Sequence, residues 1–289
     1  MKKVVILGCE NSHANSFLDF IRDEKKYEDV QVIGVYSDDL EAARKLEEKY
    51  GVAIMNDYSD AVGKVDGVIV TARHGKNHYK YAEPYIKSGV PMFIDKPITV
   101  CGEEAVKFMR ECRNNGVKIT GGSCCKHDLL VKAMKKDREE NVFGKTLSGI
   151  VRAPINMDNP YGGFYFYSQH LVEMVSEIFG RYPKAVKAFV NGDNISVIFR
   201  YDDYDILGVF TSGNYNYHIV RIAEETTDLQ KCDISRPCFL AEFDEFYEIL
   251  SGGEQEISYD DFIAPVFVLN AINESIATGK DVEVKEYKV

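Results

Sequence analysis

Val4-Val5-Ile6-Leu7-Gly8-Cys9-Glu10-Asn11-Ser12-His13 is the stretch whose reading decides the fold. Four consecutive aliphatic residues, too few for a helix and closed by a glycine, read as a strand buried on both faces. A helical pattern with Phe17, Leu18 and Ile21 on one face follows the glycine. A buried strand passing through a glycine turn into a helix is the opening unit of a doubly wound nucleotide-binding sheet. The alternation continues downstream. Strands are expected at 31–36, 67–71, 92–95 and 117–120, and helices at 40–50, 78–87 and 103–114, the last two stopped by Gly89 and Gly116. Strands separated by helices imply parallel pairing and right-handed crossovers.

Beyond Gly121-Gly122 the pattern changes. Residues 147–153, 185–190, 194–201 and 206–211 alternate apolar and polar, as antiparallel strands with one solvated face do. Helices are expected at 168–179, 240–250 and 265–278. The chain is therefore read as α/β, with two domains. Residues 1–122 form a Rossmann doubly wound parallel sheet, and 123–289 an α+β domain with a mostly antiparallel open sheet for substrate binding and oligomerisation.

A chain of 289 residues can bury a sizeable core in each of two domains. A formal net charge of −11, with Lys and Arg interspersed among Asp and Glu, argues against nucleic acid or an anionic membrane surface as partner. No apolar run approaches a membrane span. The apolar stretch after Lys2-Lys3 is too short for a signal peptide and ends at Glu10 and Asn11. Seven cysteines, an odd number without framework spacing, fit free thiols in a reducing cytoplasm.

The first turn departs from the Gly-x-Gly-x-x-Gly pattern that lets a backbone approach pyrophosphate. Gly8 is kept, but Glu10 stands at the second glycine and His13 at the third. A glutamate aimed at pyrophosphate would repel it. Binding survives if Glu10 points away and Asn11, Ser12 and the helix N-terminus supply donors. Otherwise the turn belongs to a sheet that has lost its nucleotide. At the end of the second strand, Ser37 sits where a ribose-binding acid usually falls, followed by Asp38 and Asp39. Two acids favour NAD over NADP, while either could instead cap the next helix. The fourth strand delivers Asp95-Lys96-Pro97 to its C-terminal end, where open α/β sheets bind ligands, and Pro97 restricts Lys96 to an extended backbone.

With these motifs in place, the chain resembles the glucose–fructose oxidoreductase, inositol dehydrogenase and rhizopine-catabolism family (Gfo/Idh/MocA). Asp95-Lys96-Pro97 is similar to that family's Glu-Lys-Pro motif, and Thr71-Ala72-Arg73 with His78 to its Thr-Pro-Asn loop and following histidine. The stretch from Gly162 to Glu173 is similar to its Asp-x-Gly-x-His-x-x-Asp site. His170 matches the site histidine and Glu173 the last acid, while Phe166 replaces the first Asp and Ser168 the Gly. The resemblance implies hydride transfer between a nicotinamide cofactor, NAD with NADP possible, and a sugar, polyol or related hydroxy compound. It implies cofactor contacts from Gly8, Glu10, Asn11, Ser12, His13, Ser37, Asp38, Thr71, Ala72, Arg73, His78, Asp95 and Lys96. Lys126, Tyr167 and Glu173 would face the substrate, and the family's open second sheet often packs into homodimers or homotetramers.

Hydride chemistry needs a group to take the hydroxyl proton. Lys96 would orient the hydroxyl and stabilise oxyanion charge. His170, read as lying in the first turn of an apolar-faced helix whose N-terminus disfavours imidazolium, would be the base. Tyr161, Tyr165 and Tyr167 suit either a sugar-like ligand or core packing, and Tyr215, Tyr217 and His218 are equally open. Cys124-Cys125-Lys126-His127 lacks a second ligand pair at metal spacing, and His74 and His78 straddle a glycine loop, so no metal is expected. A competing reading is a non-catalytic protein that senses a nucleotide or small metabolite on the same fold, since function lives in the site.

Overall fold

The computed structural model describes residues 1–289. Its first sheet is five-stranded and wholly parallel, in the order β2-β1-β3-β4-β5. The strands are β1 (Lys2–Leu7), β2 (Val30–Tyr36), β3 (Gly67–Val70), β4 (Met92–Asp95) and β5 (Ile119–Gly122). Helices α1 (Ser12–Asp23), α2 (Leu40–Tyr50), α3 (Lys76–Ile86) and α4 (Gly102–Asn114) connect them. Val4 to Leu7 are fully buried, as expected of a central strand covered on both faces.

The expected strand at 117–120 lies two residues further on. Val117 is drawn back onto α4, its N–H donating to Cys112 O (2.9 Å), while Gly121 and Gly122 pair with Ile94 and Asp95 of β4. A Cβ on Gly121 would stand 2.1 Å from Ile94 O, so this glycine marks close strand approach and not a strand end.

After β5, a 3₁₀ turn (Cys124–His127) and helix α5 (Leu129–Glu139) lead into the second sheet. Its strands are β6 (Thr146–Pro154), β7 (Ala185–Asn191), β8 (Asn194–Arg200), β9 (Asp205–Thr211), β10 (Tyr217–Ala223), β11 (Thr227–Cys232) and β12 (Val282–Glu283), in the order β11-β10-β6-β9-β8-β7-β12. Only β6 and β9 pair in parallel. One face packs on α6 (Phe164–Phe179); the inward residues Ile195, Val197 and Phe199 of β8 are buried with Leu171 and Val175. The other face carries a row running Leu229, Val220, Ile150, Leu207, Ile198 across five strands in register.

Helices α7 (Arg236–Leu250) and α8 (Tyr259–Thr278) return to the first sheet. Phe243, Phe246 and Ile249 of α7 join the α1 side of its core, and Phe262, Ile263 and Val266 of α8 join the opposite side. α8 begins six residues before the expected start at Pro265. The Ser258 hydroxyl accepts from Asp261 N–H (3.1 Å) and Asp260 and Asp261 fill the first turn, which outweighs the proline inside. No helix is long and apolar enough to cross a membrane.

Candidate active site

Gly8 adopts φ +76°, and a Cβ there would lie 2.3 Å from Ala72 Cα, so the turn closes only with glycine. Thr71 braces it, its Oγ1 donating to Gly8 O (3.0 Å). His78 is buried with Nε2 2.7 Å from Ala72 O; burial lowers its pKa. Thr71, Ala72 and His78 thus shape the turn from behind. Asn11 caps α1, and the N–H groups of Glu10, Asn11 and Ser12 have no partner within the protein. Ser12 is exposed beside them.

Glu10 turns away from this helix terminus. Its carboxylate accepts from Ser37 Oγ (2.7 Å) and from Arg73 N–H (2.9 Å), linking the ends of β1, β2 and β3. The two acids after Ser37 divide their work. Asp39 caps α2, accepting from Glu41 N–H and Ala42 N–H (3.1 Å each). Asp38 accepts from the hydroxyls of Tyr36 (2.7 Å) and Tyr81 (2.8 Å), which lower its pKa.

His13 does not line the turn. It is 3% exposed, between Phe17 and Phe239, with Nδ1 3.1 Å from Asp95 Oδ2 and Nε2 3.3 Å from Glu242 Oε2. Burial is the largest single influence and opposes its protonation, but the charge and hydrogen bond of Asp95, with Cys124 and Glu242, together raise its pKa. Asp95 is itself fully buried, accepting from Asn11 Nδ2 and Lys96 N–H (2.7 Å each).

Lys96, 4% exposed, crosses to the second domain. Its ammonium donates to Phe166 O (3.4 Å) and lies 4.2 Å from the Phe166 ring centroid and 6.0 Å from that of Tyr167. Where the resembled family has an aspartate, a carbonyl and an aromatic face here meet the cation. His170 lies in the second turn of α6, because the helix starts at Phe164 and not near Ser168. The N-terminal dipole falls off within one turn, so it does not set the ring's charge. Burial does, followed by the Lys96 charge, and together they bring the His170 pKa down to about 3. Ser123 Oγ sits 2.6 Å from its Nδ1. Tyr167 and Tyr217 flank the imidazole at 6.2 and 6.1 Å between centroids, and Tyr215 meets Tyr167 at 6.0 Å.

The remaining expected residues go elsewhere. Glu173 accepts from Ser123 N–H (2.9 Å) and from Gln169 Nε2, and burial raises its pKa. Lys126 donates to Gly121 O, lies 3.9 Å from Glu173, and lines a charged cleft with Thr120, Glu177 and Glu245 that includes neither Lys96 nor His170. Tyr161 lies under the Arg73 guanidinium (5.0 Å), and Tyr165 accepts from Asn270 Nδ2 (3.0 Å) on α8. Sequence reasoning missed Ser123 and Glu242. Glu242 had a signal: an acid on the aromatic face formed by Phe239, Phe243 and Phe246 at helical spacing.

A parallel sheet with a glycine turn and three free N–H groups at a helix start define a Rossmann-type fold, and an ammonium and a neutral imidazole from two domains meet beside that turn. Residues 2–123 match the family described as the oxidoreductase family with an NAD-binding Rossmann fold. That match covers the nucleotide-binding domain, and the description it carries is that of an NAD-binding fold. No curated protein sequence matches the chain. Among solved structures it is similar to scyllo-inositol dehydrogenase from Lactobacillus casei with bound NAD(H) and scyllo-inositol: 15% identity, TM-score 0.84, covering 98% of this chain and 99% of that one. It is also similar to a myo-inositol dehydrogenase from Corynebacterium glutamicum ATCC 13032 (15%, TM-score 0.82, 99% and 100% covered). An Agrobacterium radiobacter oxidoreductase in complex with NAD+, L-tartaric acid and magnesium is similar over 98% of both chains (16%, TM-score 0.81). At these identities the likeness speaks for the fold.

NAD also fits the residues present. The unpartnered N–H groups of Glu10, Asn11 and Ser12 are the donors a pyrophosphate needs, and the turned-away Glu10 removes the expected repulsion. Ser37, Glu10 and Asp38 stand at the strand end that faces an adenosine ribose in this fold.

Proposed function

We propose that the chain is an NAD-dependent dehydrogenase acting on a secondary alcohol of a sugar, polyol or related hydroxy compound. The observation that carries this reading is the meeting of Lys96 from β4 with Phe166, Tyr167 and His170 of α6, beside the nucleotide turn. Glu10, Asn11 and Ser12 would hold the pyrophosphate through backbone N–H groups. When bound, NAD supplies the hydride acceptor. Lys96 would donate a hydrogen bond to the substrate oxygen and stabilise its developing negative charge. His170, neutral at physiological pH, would hold the same hydroxyl and receive its proton at Nε2, with Ser123 fixing Nδ1. Tyr167, Tyr215 and Tyr217 would offer amphipathic walls to a ring-shaped polyol.

The inositol dehydrogenases above suggest the first substrates to try. Lys96→Met should lower turnover by about 10²-fold or more, the cost of losing an oxyanion donor. NADH affinity should change much less. A chain that binds neither NADH nor NADPH by fluorescence titration would overturn the enzyme reading. The Glu10 carboxylate, if it kept nucleotide out by holding Ser37 and Arg73, would then favour a non-catalytic metabolite-binding protein.

We also assign homo-oligomerisation to the outer face of the second sheet, on the strength of its aliphatic row. Seven unpaired cysteines, six of them buried, suit a reducing cytoplasm.

A further inference from the structure

Behind the Lys96–His170 pair lies a second cluster that the proposed chemistry does not use. His13 comes from the first turn of α1, Cys124 from the 3₁₀ turn after β5, and Glu242 from the middle of α7. All three are buried, at 3%, 2% and 0% exposure. Their possible ligand atoms lie within 4.8 Å of one another.

The polar atoms here are orphaned. His13 Nε2 and both carboxylate oxygens of Glu242 are buried without a hydrogen-bond partner. A bare carboxylate in the interior is costly unless something positive meets it or it takes up a proton. The other side of the imidazole is already committed: Nδ1 faces Asp95 Oδ2 at 3.1 Å, and Asp95 is fixed by Asn11 Nδ2 and by Lys96 N–H. A carboxylate that accepts from one ring nitrogen while the other faces inward is the outer-shell arrangement of metal-binding histidines. With the proton on Nδ1, the Nε2 lone pair points toward a carboxylate oxygen 3.3 Å away, an arrangement that repels unless a cation lies between. A proton on Nε2 is the competing occupant. It would still leave the second carboxylate oxygen of Glu242 buried without a partner.

We propose that His13 Nε2, Cys124 Sγ and the Glu242 carboxylate bind one divalent transition-metal ion of the zinc class. Imidazole, thiolate and carboxylate are a zinc donor set, and metal–ligand bonds of about 2.0–2.3 Å set tetrahedral ligand–ligand edges of roughly 3.3–3.7 Å. The 3.3 Å between Nε2 and Oε2 meets that requirement, and the Cys124 sulfur lies within 4.8 Å of the other two ligand atoms. The ligands come from three remote stretches, which is why no Cys or His spacing in the sequence announces them. The ion would tie the nucleotide turn to α7 and to the start of the second domain. A neighbouring group, Cys124 with Cys125 and His170, shares one sulfur, but His170 Nδ1 already faces Ser123 and no orphaned atom lies there.

The test uses the full, tag-free chain purified without chelator and needs no activity measurement. Mass spectrometry of the metal content should find close to one zinc per chain. Chelator-treated chain given Co²⁺ should develop a thiolate-to-metal charge-transfer band. Cys124→Ser should abolish that band, Cys125→Ser should keep it, and His13→Gln and Glu242→Gln should each weaken Zn²⁺ binding at least about tenfold, the scale of losing one ligand or its outer shell. If Cys124→Ser does not fold, Glu242→Gln with circular dichroism as a fold check decides. The proposal is overturned if the wild-type chain takes up neither Zn²⁺ nor Co²⁺ stoichiometrically. It is equally overturned if the cobalt band survives loss of Cys124, or if it vanishes with Cys125 instead.

Discussion

Lowering the pH should destabilise this protein through His170 by an amount that the site itself sets. Its pKa is about 3 in the folded chain because burial, then the Lys96 charge, oppose the imidazolium, whereas the unfolded chain holds an ordinary histidine near 6.5. Between those values the unfolded state carries a proton the folded state refuses. Stability from this residue is therefore complete above pH 6.5 and is lost as the pH falls toward 3. The full shift is worth about 5 kcal/mol, and the part lost between pH 7 and pH 5 is about 2 kcal/mol. His127, brought down to about 2 by burial and then the Lys126 charge, adds a loss of the same sign, while His13, whose pKa is raised, acts oppositely. A variant isolates His170: His170→Asn keeps an amide near Ser123 and removes the titration. Urea unfolding of both proteins across pH 5–7 measures the difference. The stability advantage of the wild type should shrink by about 2 kcal/mol at pH 5. The imidazole should remain neutral by NMR over that range. An advantage that stays constant, or a ring that titrates near 6.5, would refute the account of a desolvated, Lys96-opposed histidine.

Further outcomes follow from the nucleotide turn and the open sheet face. A 2′-phosphate would meet the carboxylates of Glu10 and Asp38, so NADH should bind at least about tenfold more tightly than NADPH, about 1.4 kcal/mol; Glu10→Gln should narrow that ratio, and an unchanged ratio would show that Glu10 does not read the ribose. Leu207→Lys, in the middle of the aliphatic row and partnered by Ile150 and Ile198, should convert an oligomer to monomer by light scattering without lowering helical content. A wild-type chain already monomeric at micromolar concentration would rule out this face as an interface.

Much of the architecture was legible because periodicity is a local property. Runs such as Val4 to Leu7 and Met92 to Asp95 have few alternatives to a buried strand, and the expected and observed bounds of α2 and β4 coincide. Where local signals competed with packing, packing prevailed. β5 slid toward its glycines because Ile94 and Asp95 needed partners, and α8 ran through Pro265 because its cap lay further upstream. Strands β10 and β11 were missed, since β11 presents mostly polar residues at a sheet edge and its pairing with β10 supplies the order.

The sequence by itself determined the glycine turn, the alternation of buried strands with helices, and the delivery of Lys96 to a strand end, because each depends on neighbours within a few residues. It placed Glu10 and His13 in the turn but not their side chains. Glu10 reached back to Ser37 and Arg73, and His13 turned inward to Asp95 and Glu242, whose positions are set by β2, β3, β4 and α7. Likewise the neutrality of His170 comes from burial and from an ammonium 74 positions away in the chain, not from its place in a helix. Only the tertiary structure could decide these points, since desolvation and charge act through space and a side chain's destination depends on segments that meet only after folding.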